Sequence, residues 1–228
     1  MNEAVNVAEA YNKGHTVFMG IDLLVGPGAL VPRPETELLG ASAVDALRQL
    51  DVPAPRMIDM CCGAGNLVCA VSLKVPGVRA WASDLTDSCV DVARRNVAHH
   101  GLSDRVSVYQ GDLFEAFSDL QLQGTIDLIV CNPPYISEAR LKGDRSVLLE
   151  LEPREAFAAG PYGLSIHMRV TKDASRYLRL GGILLFEVGL GQERQVATLL
   201  ERSKAYENIK IVRNEAGEGR VVMGSAKA

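Results

Sequence analysis

Two short segments, Ile126–Asn132 (Ile-Asp-Leu-Ile-Val-Cys-Asn) and Ile183–Val188 (Ile-Leu-Leu-Phe-Glu-Val), carry apolar side chains at adjacent positions. Neighbouring strand residues point to opposite faces, so such a segment needs cover on both sides, as a central strand of a parallel sheet has. Five further candidate strands accompany them: Arg56–Met60, Arg79–Asp84, Val106–Gly111, Ile209–Arg213 and Arg220–Gly224. Helical periodicity occupies the intervals, at about Glu35–Leu50, Asn66–Lys74, Ser88–His100, Ile166–Leu180 and Gln192–Ser203. Within Ser88–His100, Val90, Val92, Ala93 and Val97 face a core, and Gly101 stands at the stop position. This alternation implies an α/β fold, a doubly wound seven-stranded sheet that is mostly parallel. Only Asn214–Gly219 separates the last two strands. So short a link makes a hairpin and not a crossover, so the last strand is expected to run antiparallel.

Composition sets the outer bounds. The chain has 228 residues, of which 47% are hydrophobic, enough for one large core and too many for disorder. A net charge of -4 gives no basic footprint, which makes a nucleic-acid partner an unfavoured expectation. No apolar run approaches the ~20 residues of a membrane helix. The Met-Asn-Glu-Ala start lacks the features of a signal peptide, and a cytoplasmic protein with no membrane partner is expected. The five cysteines form no Cys-x-x-Cys pair, so neither a disulfide framework nor a metal site is expected. Residues 1–34, with Gly14, Gly20, Gly26 and Gly28, read as an extended N-terminal arm, and 35–228 as the sheet domain. The interval 133–163 is long for a strand-to-helix loop, and long loops at the carboxyl ends of parallel strands are where such folds keep their sites.

Three polar turns fall on that edge. The first, Asp59-Met60-Cys61-Cys62-Gly63-Ala64-Gly65-Asn66, leads from a strand into a helix whose amides face a ligand. A dinucleotide fingerprint wants glycine at 61, 63 and 66; Cys, Gly and Asn there disfavour a nicotinamide cofactor. By itself the turn is also what a plain strand–helix connection looks like. The second ends at Asp84, a carboxylate that can accept both hydroxyls of a ribose or, alternatively, cap the next helix. The third is Gln110-Gly111-Asp112-Leu113. Together they suit a nucleoside. The fourth strand ends in Asn132-Pro133-Pro134-Tyr135, the most specific motif in the chain. The prolines delay the next helix, while Asn132 and Pro133 offer a side-chain and a backbone carbonyl beside the Tyr135 ring. Two acceptors can hold both hydrogens of a planar amino group and aim its lone pair at an electrophile.

With these residues in place, the chain resembles the class I S-adenosylmethionine-dependent methyltransferases that modify planar nitrogens. Leu30-Val31-Pro32-Arg33-Pro34-Glu35-Thr36-Glu37-Leu38-Leu39 is similar to the signature of the release-factor glutamine N(5)-methyltransferases. The likeness continues through Leu151–Ala156 and Leu185-Phe186-Glu187. It implies S-adenosylmethionine as cofactor, with its methionine part at Asp59, Cys61, Cys62, Gly63, Ala64 and Gly65. It further implies the ribose on Asp84, the adenine between Asp112 and Leu113, and catalysis at Asn132, Pro133 and Tyr135. Asn132 touches cofactor and substrate, Pro134 completes the amide pocket, and Arg33, Glu35 and Glu37 wall the substrate entrance. Cys61 stands where the family usually has glycine, and Cys62 where it has a hydroxyl residue. About thirty residues precede Pro32, fewer than the family's N-terminal helical domain needs, so that domain is expected to be lacking.

Four functions remain open at this level. The acceptor is a glutamine of a release factor or another protein, or else a free amino acid or other small molecule of glutamine- or arginine-like chemistry in a biosynthetic pathway. An adenine N(6)-methyltransferase uses the same tetrapeptide on a flipped base, although the acidic charge balance and 5% aromatic content oppose it. A non-catalytic cofactor-binding scaffold has no need of an acceptor clamp. The scattered histidines His15, His99, His100 and His167 suggest no catalytic pairing. Arg169, Lys172, Arg176 and Arg179 read as a solvated helix face, with Met168 and Val170 turned to the core.

Overall fold

The computed structural model describes residues 3–50, 52–136 and 163–227, and within it all seven expected strands form one sheet. In chain order the elements are α1 (Glu3–Lys13), β1 (His15–Phe18), β2 (Ile21–Leu24), α2 (Glu37–Gln49), β3 (Arg56–Met60) and α3 (Asn66–Lys74). There follow β4 (Arg79–Asp84), α4 (Asp87–His99), β5 (Val106–Gln110), β6 (Ile126–Cys131), α5 (Ser165–Tyr177), β7 (Leu178–Glu187), α6 (Glu193–Ser203), β8 (Tyr206–Arg213) and β9 (Gly219–Ala226). The sheet order is β5-β4-β3-β6-β7-β9-β8, with only β9 antiparallel to its neighbours.

The two central strands are buried on both faces. Leu128 and Val130 of β6 pack with Leu39 of α2, Val68 of α3 and Ala93 of α4. Ile129 and Cys131, the alternate residues, pack with Val170 and Ala174 of α5 and Leu200 of α6. Each such side chain, taken fully out of water, contributes on the order of 1.5–3 kcal/mol. The strand order reverses between β3 and β6, so the carboxyl ends of these strands open a crevice there.

Five departures from the sequence reading have local causes. The stretch expected to be an extended arm instead contains α1 and a β1–β2 hairpin. Val7 and Ala10 lie one helical turn apart and pack with Val25 and Val31. Gly14 ends α1 at φ 76, and Met19-Gly20 turn the hairpin with both φ values positive. Strand β7 begins at Leu178, not Ile183. Its register against β6 shifts between Ile126 and Leu128, and Gly181 (φ 72) belongs to that irregularity. β8 likewise begins at Tyr206, a buried anchor, ahead of a second register shift. Met168 is 56% exposed and not core, while Val170 is fully buried. Arg169 and Arg179 are not merely solvated: they pair with Asp112 at 2.8 Å and Asp127 at 2.5 Å.

Candidate functional site

The first turn shows how its backbone is held. Cys61, Gly63 and Gly65 all have positive φ, at 59, 54 and 77. Gly65 occupies the N-cap of α3 and has no side chain to cap it. Asp59 does so from the strand: its Oδ2 accepts from the Val68 amide at 2.9 Å. The carboxyl is fully buried and its Oδ1 has no hydrogen-bond partner among the described residues. Burial pushes its pKa up to about 8 against the opposing pull of the Val68 bond, with nearby Asp84 adding to the rise. A side chain at Gly65 would strike the α4 backbone at Ala93, 3.2 Å away, whereas Gly63 faces open space.

Asp84 stitches the first turn to the second. Its Oδ2 accepts from the Gly63 amide and its Oδ1 from the Leu85 amide, both at 2.8 Å. It is not the helix cap: Thr86 fills that position and accepts from the Cys89 amide. Both carboxylate oxygens therefore have backbone partners while the group still borders a cavity of about 490 Å³.

Of the residues picked out in the sequence, Arg33, Cys61, Cys62, Gly63, Asp84, Asp112, Leu113, Asn132 and Pro134 line that cavity. Asp59, Ala64, Gly65, Pro133, Tyr135, Glu35 and Glu37 do not. Ala64, Gly65 and Pro133 are buried beneath the turns, and Glu35 and Glu37 are exposed. Glu37 accepts from the Met19 amide at 2.7 Å, a bond that ties the hairpin turn to the amino end of α2. Leu151–Ala156 and residues 137–162 of the 133–163 loop lie outside the described residues. Cys62 is buried, Cys61 is half-buried, and all five cysteines are free thiols.

The Asn132–Tyr135 turn sits against the end of β7. Asn132 Nδ2 donates to Thr36 Oγ1 at 3.2 Å, and its Oδ1 has no hydrogen bond among the described residues. The Tyr135 hydroxyl donates to Glu187 Oε1 at 3.1 Å, while Gln192 Nε2 donates to the Tyr135 carbonyl at 3.0 Å. Burial, then the Glu187 charge, pushes the phenol well above its ordinary range. Burial also raises the Glu187 carboxyl, against the pull of Thr36, Arg220 and Tyr135. His167 Nε2 donates to the Glu187 backbone carbonyl at 3.0 Å, and burial pulls its pKa down to about 4, leaving it neutral.

Four residues that the sequence reading did not assign to the site belong to it or its surroundings. Thr36, 1% exposed, lies between the two glutamates that were singled out. Glu187 is the lone charge in an otherwise apolar run, which is a usable signal because a buried charge needs a reason. Gly28 and Leu30 of the arm line the cavity. Gly28 accepts from Ser88 Oγ at 3.2 Å, and a side chain there would collide with Ser88.

The reversal point of the sheet, its three turns and the acceptor turn define a class I S-adenosylmethionine-dependent methyltransferase. Comparison with known proteins agrees: the model described as "Methyltransferase small domain" matches residues 41–149. A release factor glutamine methyltransferase of Rhodopirellula baltica is 35% identical over 211 residues, spanning 92% of this chain and 70% of that protein. A 4-amino-L-phenylalanine/4-methylamino-L-phenylalanine methyltransferase of Streptomyces pristinaespiralis is 36% identical over 82% of this chain and 62% of its own length. The solved release factor-specific protein-(glutamine-N5) methyltransferase of Alicyclobacillus acidocaldarius is 25% identical. It has a TM-score of 0.51 and covers 90% of this chain and 99% of its own. A Pyrococcus furiosus methyltransferase shares the fold at TM-score 0.63 and 16% identity, over 99% of this chain and 97% of its own. The chain belongs to the family of release factor glutamine methyltransferases and their relatives.

Its methyl donor is S-adenosyl-L-methionine. The residues present suit it: an open glycine at Gly63, the amino end of α3 and an acidic strand end at Asp84 border one cavity. When bound, the cofactor supplies an electrophilic methyl group on a sulfonium. Among the described residues no His/Cys/Asp/Glu cluster could hold a metal ion, and no helix is long and apolar enough to cross a membrane.

Proposed function

We propose that the chain methylates an amide-type nitrogen, the glutamine side chain of a peptide chain release factor, in a cytoplasmic setting. The observation that carries this reading is the orientation of Asn132. With its Nδ2 given to Thr36, the amide offers the cavity its carbonyl oxygen. In this reading that oxygen accepts one hydrogen of a planar amino group, and the carbonyl of Pro133, a buried residue outside the cavity lining, accepts the other. The nitrogen lone pair then stands out of the plane, ready for in-line attack on a methyl group. In this reading Arg33 and Pro134 border the acceptor, the Tyr135 ring confines it, and Asp84, Asp112 and Leu113 serve the nucleoside half of the cofactor. The test is incubation of the full chain with intact release factor and methyl donor, followed by mass spectrometry of the Gly-Gly-Gln peptide. Gain of one CH₂ on the glutamine supports the reading, and an unmodified peptide under conditions where cofactor binds overturns it. In an active assay Asn132→Ala should lower turnover about 10²-fold, because one of two orienting acceptors is gone.

A free amino acid is the second reading. It is favoured by the relative from Streptomyces pristinaespiralis, whose name gives an amino-phenylalanine as substrate. An aromatic amine is also planar and also carries two hydrogens, so the same pair of acceptors suits it. Turnover of a free amino acid alongside an unmodified release factor selects this alternative.

A further inference from the structure

The acidic residues of the three turns are held in different ways. Asp59 caps α3, and Asp84 serves two backbone amides. Asp112 serves none: it precedes the short 3-10 turn Leu113–Phe117 without a side-chain cap bond. Its partner is a cation. Arg169 Nη2 donates to Asp112 Oδ2 at 2.8 Å across 57 positions of sequence, and Oδ1 has no hydrogen bond among the described residues. Asp112 lines the cavity and Arg169 does not. Ile166, three residues before Arg169 and on the same face of α5, also lines it, so this face runs along the third turn. Asp173, four residues after Arg169, pairs instead with Arg176 at 3.8 Å. Folding stability gives little reason for the long-range pair, because its side chains are 46% and 41% exposed.

Orientation is what the pair supplies. An aspartate at a half-exposed turn samples several rotamers; a guanidinium bond on one oxygen selects one of them and leaves the other oxygen to accept. An acceptor held at the edge of a purine favours a ring that carries a donor there. The exocyclic amino group of adenine is such a donor, and a hydrogen in its place is not. We propose that Arg169 is a positioning residue for cofactor selection: by holding Asp112 it fixes the acceptor that tells adenine from a purine without the amino group. This rests on reading Asp112 as a wall of the adenine end of the cavity. Arg169 acts through Asp112 and lies outside the cavity lining.

The test is calorimetry on the full chain with two ligands, S-adenosylhomocysteine and its analogue bearing hydrogen in place of the 6-amino group. No methyl acceptor is needed, so the result is independent of which nitrogen the chain methylates. The native chain should prefer the amino ligand by roughly 10-fold, the worth of a hydrogen bond to a charged acceptor. Arg169→Met keeps an apolar stem and drops the charge, and Asp112→Ala removes the acceptor. Both should narrow the preference to less than about threefold, through weaker binding of S-adenosylhomocysteine and little change for the analogue. Arg169→Lys returns the charge without the planar fork and should recover part of the preference. Equal weakening of both ligands in Arg169→Met would show a merely structural role and overturn the assignment. A preference that narrows in Asp112→Ala but persists in Arg169→Met also strikes Arg169 from this role, while leaving Asp112 beside the adenine. If neither variant narrows it, or the native chain shows no preference, the placement of Asp112 falls and the role of Arg169 falls with it.

Discussion

The side-chain amide of Asn96 pairs with the backbone of Leu24 as a neighbouring strand would: Oδ1 accepts from the Leu24 amide at 2.7 Å, and Nδ2 donates to the Leu24 carbonyl at 2.9 Å. The same Nδ2 also donates to the Ala64 carbonyl at 2.9 Å. One fully buried residue of α4 thus joins the N-terminal hairpin to the turn that faces the cofactor cavity.

Asn96→Ala should therefore act on stability and on the site together. It strands a buried amide and two carbonyls, each costing about 1–3 kcal/mol when left without a partner. A total loss of about 3 kcal/mol or more is expected by urea unfolding, at the upper end of single-residue effects. S-adenosylhomocysteine affinity should fall as well, since Gly28 and Leu30 of the loosened arm line the cavity. A variant with native stability would show that the arm docks by its apolar contacts alone.

Cys61 carries a conformational cost that the family avoids by placing glycine there. Its φ of 59 lies in the left-handed region, where an L side chain costs roughly 1–2 kcal/mol. Glycine removes that strain but adds about 0.5–1 kcal/mol of backbone entropy lost on folding. Cys61→Gly should accordingly stay within about 1 kcal/mol of native stability, whereas Cys61→Val, branched at Cβ, should lose more than ~2 kcal/mol. Equal stabilities for the two variants by thermal unfolding would contradict a left-handed residue at this position.

Asp59 makes a prediction about pH. Its pKa rises from an ordinary 3.8 to about 8 on folding, so the native state binds the extra proton across that window. A raised folded pKa gives stability that is complete below the unfolded value and is lost as pH rises through the folded one. Asp59→Asn is neutral throughout and keeps an acceptor for the Val68 amide, so it escapes this loss. The stability of the variant minus that of the native protein should climb between about pH 5 and pH 7, with a slope approaching ~1.4 kcal/mol per pH unit. His167, held neutral in both proteins, cancels in the difference. Parallel pH profiles would mean that Asp59 stays ionised in its buried place.

Much of this architecture was legible because burial on both faces leaves a plain record. The strands Arg56–Met60 and Arg79–Asp84 and the helix Asn66–Lys74 have the boundaries read from their sequences, and β6 ends within a residue of its expected limit. Contacts made by side chains across the fold left a fainter trace. Glu35 and Glu37 drew notice as charges, yet Thr36 between them is the residue that reaches Asn132. Asn96 looks like any polar residue of a helix, and its partner Leu24 lies 72 positions away in sequence. Glycines at 14 and 20 suggested an extended arm, but they end a helix and turn a hairpin. A positive φ marks where a chain reverses without saying what lies on either side.

The last prediction concerns Asp84, whose two oxygens already serve backbone amides at the cavity edge. Asn in its place keeps one acceptor and turns an NH₂ group on either Gly63 or Leu85, where donor meets donor. The first turn should then loosen against the second, and a ribose in the cavity should lose an ionised acceptor. A charged hydrogen bond of this kind contributes about 1.5–3 kcal/mol, so S-adenosylhomocysteine affinity should fall roughly 10-fold to 10²-fold in Asp84→Asn. Calorimetry at matched pH measures it directly, and unfolding in urea reports the structural share separately. Affinity within threefold of native would remove Asp84 from the cofactor site and leave it as the tie between two turns.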